Sequence, residues 1–242
     1  MNAKLAPRPA NEEQRVKAVV RTGLIDAPKP EVFQVYCDLA KEISGFKSAT
    51  FSLYDGEVQC ELSNTGKEDF QEGLRYDRDK YNICSYVLLD IEPLMMKDIW
   101  NEPSWMNHPK VLDKTGARGY AGFPVVNKDN FALGTLCMTD PEPRALSTEK
   151  ITLIKKVTEN IAHLLDIQAE QKEFTSQKFL ESLSIFLAEN NKLNIEDLKT
   201  FLMLSADLKT EESNSENLIQ QGLCEVIAKD YISLTAKGRV LQ

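Results

Sequence analysis

"GYAGFPVVNKDNFALGTLCMTDPEPRALS", Gly119 to Ser147, sets two apolar runs on either side of a polar turn and leads directly into a long helical pattern. The runs Gly119 to Val126 and Phe131 to Thr139 predict the two strands of a hairpin, with "NKDN" as its turn. Gly119, Gly122 and Gly134 suit unusual dihedrals or the close approach of another backbone, and Pro124 inside a strand argues for an edge or a bulge. After "DPEPRALS", Ser147 fits a helix N-cap, with Lys150 where a full capping box carries a glutamate. The helix it opens runs through "TEKITLIKKVTENIAHLLDIQAEQKE". Its apolar positions Ile154, Val157, Ile161 and Leu164 have the 3-4-3 spacing of a coiled-coil seam, which predicts a homodimer interface before the pattern turns polar at Gln168 and Gln171.

Working toward the N-terminus, "WNEPSWMNHPKVLDKTGAR" holds two prolines, two tryptophans and a glycine, and reads as a long excursion with a turn of helix. Before it, Leu94, Met95 and Met96 suggest a buried strand ending at Asp98, and "YNICSYVLLD" is a short apolar segment. In "SATFSLYDGEVQCELSNTG" the period is two: Phe51 and Leu53 precede an Asp55-Gly56 turn, and Val58, Cys60 and Leu62 follow it, a hairpin signal. Glu31 to Ser44 carries Val32, Phe33, Val35, Tyr36, Leu39, Ala40 and Ile43 at helical spacing, with Gly45 placed to stop the helix. Asn11 to Thr22 predicts a short amphipathic helix, with Val16, Val19 and Val20, that packs on something larger.

The totals bound the function. A chain of 242 residues with 42% hydrophobic content can form one large domain or two small ones with a real core. Twenty-nine Lys plus Arg against 37 Asp plus Glu leave a net charge of −8, so no bulk field draws the protein to a phosphate backbone or an anionic membrane. The N-terminus lacks the features of a secretory signal, and no run reaches the roughly 20 apolar residues a bilayer span needs, so the expected location is cytoplasmic. Five scattered cysteines, Cys37, Cys60, Cys84, Cys137 and Cys224, form no C-x-x-C pair and imply neither a disulfide framework nor a zinc knuckle. His108 and His163 lie in different kinds of segment and supply a metal site poorly.

Beyond Phe174, "FLESLSIFLAENN" and "IEDLKTFLMLS" predict two helices and "TEESNSENLIQQG" a polar third ending at Gly222. "LCEVIAKDYISLTAKGRVLQ" then predicts a ribbon around a "KD" turn. The expected division is a leader and helix over residues 1–23, a first domain over 24–168 and a small domain over 169–242.

Taken together, "GFKSATFSLYDGE", "ICSYVLLDIEPLMMKDI", "GARGYAGFPVV" and "FALGTLCMTDPEPRALSTEK" resemble, in order and spacing, the GAF domain of bacterial signalling proteins. The resemblance implies an α+β, PAS-like fold. Its central antiparallel sheet has helices on one face, and on the other, loops that enclose a small-molecule pocket. It implies ligand contacts at Cys84, Asp98, Trp105, Arg118, Tyr120 and Met138, with the cofactor or ligand unknown. For the bare residues, Asp98 equally caps a turn, Arg118 equally makes a surface salt bridge, and a buried cysteine is equally an apolar filler. "NKDNF" at Asn127 shares its first letters with a cyclic-nucleotide signature but not the rest, and reads as a hairpin turn. The excursion from Trp100 to Arg118 contains no cysteine, which speaks against a covalently bound bilin there. A relative that reduces free methionine sulfoxide uses several pocket cysteines, and most of that pattern is missing.

The tail resembles the end of a winged-helix domain. Ser176 to Gln242 holds seven basic and ten acidic residues, and "TEESNSENLIQQ", in the place of a recognition helix, has no Lys or Arg. Direct DNA readout needs basic side chains on phosphates, so the expected role is protein contact. The resulting expectation is a non-catalytic, homodimeric signalling protein with a GAF sensor and a C-terminal docking module. The alternatives are a thiol-dependent reductase using Cys84 or Cys137, a transcription factor, and a scaffold whose pocket is filled by Met95, Met96 and Met138.

Overall fold

The computed structural model describes residues 6–25, 31–66, 73–78, 82–112, 114–189, 193–206, 208–228 and 231–240. It divides at Lys172 into two compact units.

The first unit opens with helices α1 (Glu12–Thr22) and α2 (Val32–Ser44), followed by strands β1 (Ser48–Tyr54), β2 (Val58–Asn64) and β3 (Leu74–Asp77). Both helices end at a glycine with positive φ, Gly23 at 71° and Gly45 at 74°, where a side chain would be strained. The β1–β2 turn is held by Asp55, whose carboxylate accepts from the main-chain N–H groups of Glu57 and Val58, each at 2.7 Å. A 3-10 helix (Cys84–Leu89), β4 (Leu94–Met96), a single helical turn α3 (Pro109–Leu112), β5 (Gly119–Val126), β6 (Ala132–Asp140) and the part of α4 (Thr148–Glu189) up to Lys172 complete it. The six strands form one antiparallel sheet in the order β3-β2-β1-β6-β5-β4.

Strand alternation sends Phe51, Leu53, Cys60, Leu62, Phe123 and Leu136 to one face, where they form the main core with α1, α2 and α4. Phe33 of α2 meets Phe51 of β1 with ring centroids 5.1 Å apart. A pair of this kind adds about 0.5–1.5 kcal/mol beyond its buried area. Helix α2 turns Phe33, Cys37 and Ala40 inward, while Val32, Val35 and Leu39 of the same predicted stripe are exposed. Helix α1 belongs to this unit rather than to a separate leader, since Ala18 and Val19 lie in the core.

Gly134 is required by close approach: a Cβ there would lie 2.2 Å from the main-chain oxygen of Ser52 on β1. Pro124 sits on β5 one turn of the pleat beyond the last residue paired with β4, next to a bulge at Val125/Val126, so its missing N–H breaks no ladder bond to β4. β3 carries no strong apolar alternation and its four residues are all exposed, which is why the sequence did not announce it.

Ser147 is the N-cap of α4, its hydroxyl 3.4 Å from the Lys150 N–H. The helix continues through the stretch expected to begin a second one, as no Gly or Pro interrupts residues 148–189. The seam expectation is corrected by packing. Ile154, Val157 and Ile161 are buried in the unit's own core, facing the sheet with Leu165, and Leu164 is half-buried beside them. Their spacing serves an intramolecular helix–sheet contact, which a heptad count cannot distinguish from a helix pair.

The second unit contains α5 (Ile195–Ser205), α6 (Glu212–Gln220), the antiparallel ribbon β7 (Cys224–Ala228) with β8 (Tyr231–Leu234), and α7 (Ala236–Val240). α5 opens with a capping box. The Asn194 side chain accepts from the Asp197 N–H at 3.1 Å, and the Asp197 carboxylate accepts from the Asn194 N–H at 2.8 Å. Phe201, Leu204, Leu218, Leu223, Ile232 and Leu234 form its core. The "KD" turn, Lys229 and Asp230, lies outside the described residues. Among the described residues no helix is long and apolar enough to cross a membrane.

Candidate functional site

The sheet face opposite the main core carries a second apolar cluster of Val87, Met96, Ile99, Val111, Tyr120 and Cys137. Beside it opens a pocket of about 380 Å³, within the range of small-molecule sites. Its floor is polar: Gln59 and Glu61 from β2, Thr139 from β6 and the Tyr120 side chain from β5. Its walls come from the segment leading into the 3-10 helix, with Asn82 and Cys84, and from Val111 on α3. Gln59 and Glu61 are both nearly inaccessible to solvent, with Asn82 placed against Gln59. The floor is held by side chains: Gln59 donates to the Ser52 hydroxyl at 3.0 Å and accepts from Asn82, whose own oxygen takes the Cys84 N–H at 2.9 Å.

Behind this wall lies a cluster of thiols and phenols. The Tyr120 hydroxyl and the Cys137 sulfur are hydrogen-bonded at 3.2 Å, and the Thr135 hydroxyl lies 3.3 Å from the same sulfur. Cys84 packs against the cluster that holds Cys137 and Tyr120. Burial pushes the Cys137 thiol up, but Cys84 and the hydrogen bonds of Thr135 and Tyr120 more than offset it and leave it below the usual thiol range. The neighbouring Cys137, together with burial, raises the Cys84 thiol well above that range. Burial likewise raises Tyr120 and Tyr54, which keeps both hydroxyls protonated at neutral pH.

A family model described as the GAF domain matches residues 30–165, more than half of the chain. The chain belongs to the GAF domain family. Over 144 residues it is 28% identical to a cyclic di-GMP phosphodiesterase of Pseudomonas aeruginosa, in an alignment covering 60% of this chain and 24% of that protein. The chain therefore spans about a quarter of the length of that relative, and only the GAF region aligns. Among solved structures, it is similar to the GAF domain of a phosphoenolpyruvate-protein phosphotransferase from Acinetobacter, at 9% identity and a TM-score of 0.48, covering 65% of this chain and 93% of that one. The corresponding domain from Coxiella burnetii shares 19% identity at a TM-score of 0.44, over 64% of this chain and 96% of the other.

Within the GAF domain the expected ligand residues separate. Cys84 and Tyr120 line the pocket. Asp98 and Arg118 do not; they pair with each other, Arg118 Nε 3.2 Å from one carboxylate oxygen and Nη2 2.5 Å from the other. The guanidinium also stacks over Trp100, 4.9 Å from its ring centroid, and the Arg118 carbonyl accepts from the Ile99 N–H at 2.8 Å. The hydrogen bond from Arg118 holds the Asp98 carboxyl below its usual range. This clip closes the base of the Trp100 to Arg118 excursion. Trp105 is half-buried and packs edge-on against Tyr86, 4.7 Å between centroids, away from the pocket lining.

Met138 is a correction: it is buried on the helical face of the sheet, one residue out of phase with Cys137 and Thr139. The three methionines do not fill the pocket either, since Met96 packs in the neighbouring apolar cluster and Met95 is exposed. "NKDN" forms the β5–β6 turn, with the Asn127 carboxamide oxygen accepting from Asp129 at 3.2 Å and Phe131 at 2.9 Å. Gln59 and Glu61 escaped the sequence reading. Their only signal was polarity at alternate positions of a strand, which in an antiparallel sheet ordinarily marks a solvated face. Among the described residues no three His, Cys, Asp or Glu side chains gather in a way that could hold a metal ion.

Proposed function

We propose that this protein is a non-catalytic signalling regulator whose GAF domain binds a small organic molecule in the pocket over Gln59, Glu61 and Tyr120. The observation that carries this reading is the solvent-open pocket of about 380 Å³ with polar groups converging from β2 and β6. A ligand there touches the 3-10 segment and α3 at Cys84 and Val111. It biases their arrangement by the difference in its affinity for the two states. The relative whose name is a cyclic di-GMP phosphodiesterase matches this chain only in the GAF region, which supports a regulatory role for the shared part.

The second unit acts as a docking module of winged-helix type. Two helices, a ribbon and a closing helix support that reading, and α6, without Lys or Arg, favours a protein partner over DNA. The protein works as a homodimer with a second copy across the outward face of α2, where Val32, Val35 and Leu39 stand exposed at i, i+3, i+7 spacing.

Native mass spectrometry of the full chain, with extraction and identification of retained molecules, tests the sensor reading. A bound small molecule that is lost in Glu61→Gln and Asn82→Ala supports it. A clean apo protein that no member of a metabolite panel stabilises against heat overturns it.

A further inference from the structure

The second unit carries a cavity of its own, about 520 Å³ and within the size range of small-molecule sites, between α5 and the start of α6. Thr200 of α5 lines it and is only 6% exposed, yet its hydroxyl has no hydrogen-bond partner among the described residues. A helical hydroxyl ordinarily donates to the carbonyl one turn back, as Ser205 does to Phe201 at 2.9 Å, and a buried one left unpaired is costly. Helix α6, nine residues long, begins at the same cavity without a side-chain cap. Glu211 in its N-cap position makes no side-chain cap hydrogen bond, and Ser213 and Asn214 of the first turn line the cavity. The Asn214 N–H donates to the Glu211 carbonyl at 3.1 Å, whereas those of Glu212 and Ser213 have no acceptor among the described residues. Open N–H groups at a helix N-terminus favour a carboxylate.

The charges around this cavity have both signs. Lys199 and Lys209 line it together with Glu196, Asp197 and Glu211. Asp197 is committed to the fold, since it is buried and accepts from the Asn194 N–H at 2.8 Å and the Asn217 carboxamide at 3.0 Å. Glu211 lies 3.5 Å from the Ser213 hydroxyl. Glu196 is only loosely held, 3.5 Å from Lys199 with both side chains exposed, and it stands one turn before Thr200 on the same face of α5. A purely anionic guest would meet the carboxylates and a purely cationic one the lysines, whereas a guest with both charges close together fits. We infer that this cavity is a second ligand site, which holds a free amino acid as its zwitterion. The carboxylate accepts from the Thr200 hydroxyl and from the open N–H groups of α6, with Lys209 lending positive charge. The ammonium faces Glu196. Met203, the apolar side chain among the described lining residues, meets the side chain of the guest. The site lies wholly within the second unit, so it stands apart from the sensor reading of the GAF domain.

The test titrates the isotope-labelled full chain with each common free amino acid at millimolar concentration and follows its amide signals by NMR. At least one amino acid is expected to shift the signals of residues 196–203 and 209–214 while those of Gln59, Glu61 and Tyr120 stay in place. The N-acetyl and carboxamide derivatives of that amino acid, each lacking one charge, should bind at least about tenfold more weakly, because hydrogen bonds to charged groups are the strong ones. Thr200→Val should weaken binding by about tenfold as well. It should not lower the thermal midpoint of the unliganded chain, because the hydroxyl it removes has no partner there. Lys209→Gln, at an exposed position, serves as a second variant and should also weaken binding. Three results overturn the inference: no free amino acid moves these signals, the singly charged derivatives bind as tightly as the zwitterion, or affinity is unchanged in Thr200→Val or, should that variant not fold, in Lys209→Gln.

Discussion

The guanidinium of Arg15 lies 2.6 Å from the main-chain oxygen of Tyr54, fully buried between α1 and the end of β1. It also donates to the carbonyls of Asp55 at 3.2 Å and Ala132 at 3.3 Å, and to both carboxylate oxygens of Glu12 at 2.7 and 3.1 Å. One side chain therefore satisfies the ends of β1 and β6 and fixes α1 to the sheet. Arg15→Met leaves Glu12 and the Asp55 carbonyl to Arg78 alone and takes this donor from the Tyr54 and Ala132 carbonyls. Removing one partner of a buried pair costs about 3–5 kcal/mol, so the urea midpoint of the first unit should drop sharply. Arg15→Lys should recover only part of the loss, because an ammonium cannot reproduce the planar fork.

Glu12 gives this contact a pH dependence. Burial disfavours its ionised form, but hydrogen bonds and charge from Arg15, then from Arg78, outweigh burial and hold its carboxyl below the ordinary 4.5. A depressed carboxylate contributes stability that is fully present above its unfolded value and is lost as pH falls through its folded one. Denaturation midpoints should therefore hold down to about pH 4.5 and decline below it. Glu12→Gln should remove that part of the acid slope while lowering stability at neutral pH. An unchanged acid slope in the variant would show that Glu12 does not carry it.

Replacing residues of the predicted seam should unfold the domain rather than separate a dimer. Ile161 has no exposed surface, and truncating a buried isoleucine alone costs about 2–5 kcal/mol before any penalty for a buried charge. Ile161→Glu is expected to give an aggregated or poorly folded chain by circular dichroism. Val35→Glu, at a position 62% exposed, should leave the fold intact and reduce the mass seen by light scattering from dimer to monomer. A dimer that survives Val35→Glu together with Leu39→Glu would refute the α2 interface.

Gly134→Ala tests the centre of the sheet. The added methyl would stand 2.2 Å from the Ser52 oxygen, and neither strand can retreat without breaking the β1–β6 ladder. Overpacking of this kind costs about 1–3 kcal/mol, and a clash with backbone belongs at the upper end. Thermal unfolding should show a lower midpoint for Gly134→Ala. Gly116→Ala should change it less, since nothing lies within 4 Å of the added carbon, although its φ of 101° carries some strain.

Much of the fold was written locally. Period-two alternation around Asp55-Gly56 and Asn127 to Asn130 determined two hairpins, Gly23 and Gly45 the ends of two helices, and Ser147 the start of a third. These signals act between residues close in the chain, and the short motifs in register were enough to mark the GAF family. The strand β3 and the continuity of α4 were less legible, the first because its residues are exposed, the second because a change of partner leaves no mark in helical periodicity.

What a side chain touches was decided only in three dimensions. Cys84 and Tyr120 were recognisable as pocket residues, but Asp98 and Arg118 proved to satisfy each other, and Met138 fell on the opposite face by one step of the strand. Gln59 and Glu61 are buried, and Gln59 meets Asn82, 23 residues further along the chain. The sequence by itself determined the elements and the family, since turns, caps and alternation are properties of neighbouring residues. The tertiary structure alone decided the pocket, because it alone brings together residues as far apart in the chain as Gln59 and Thr139.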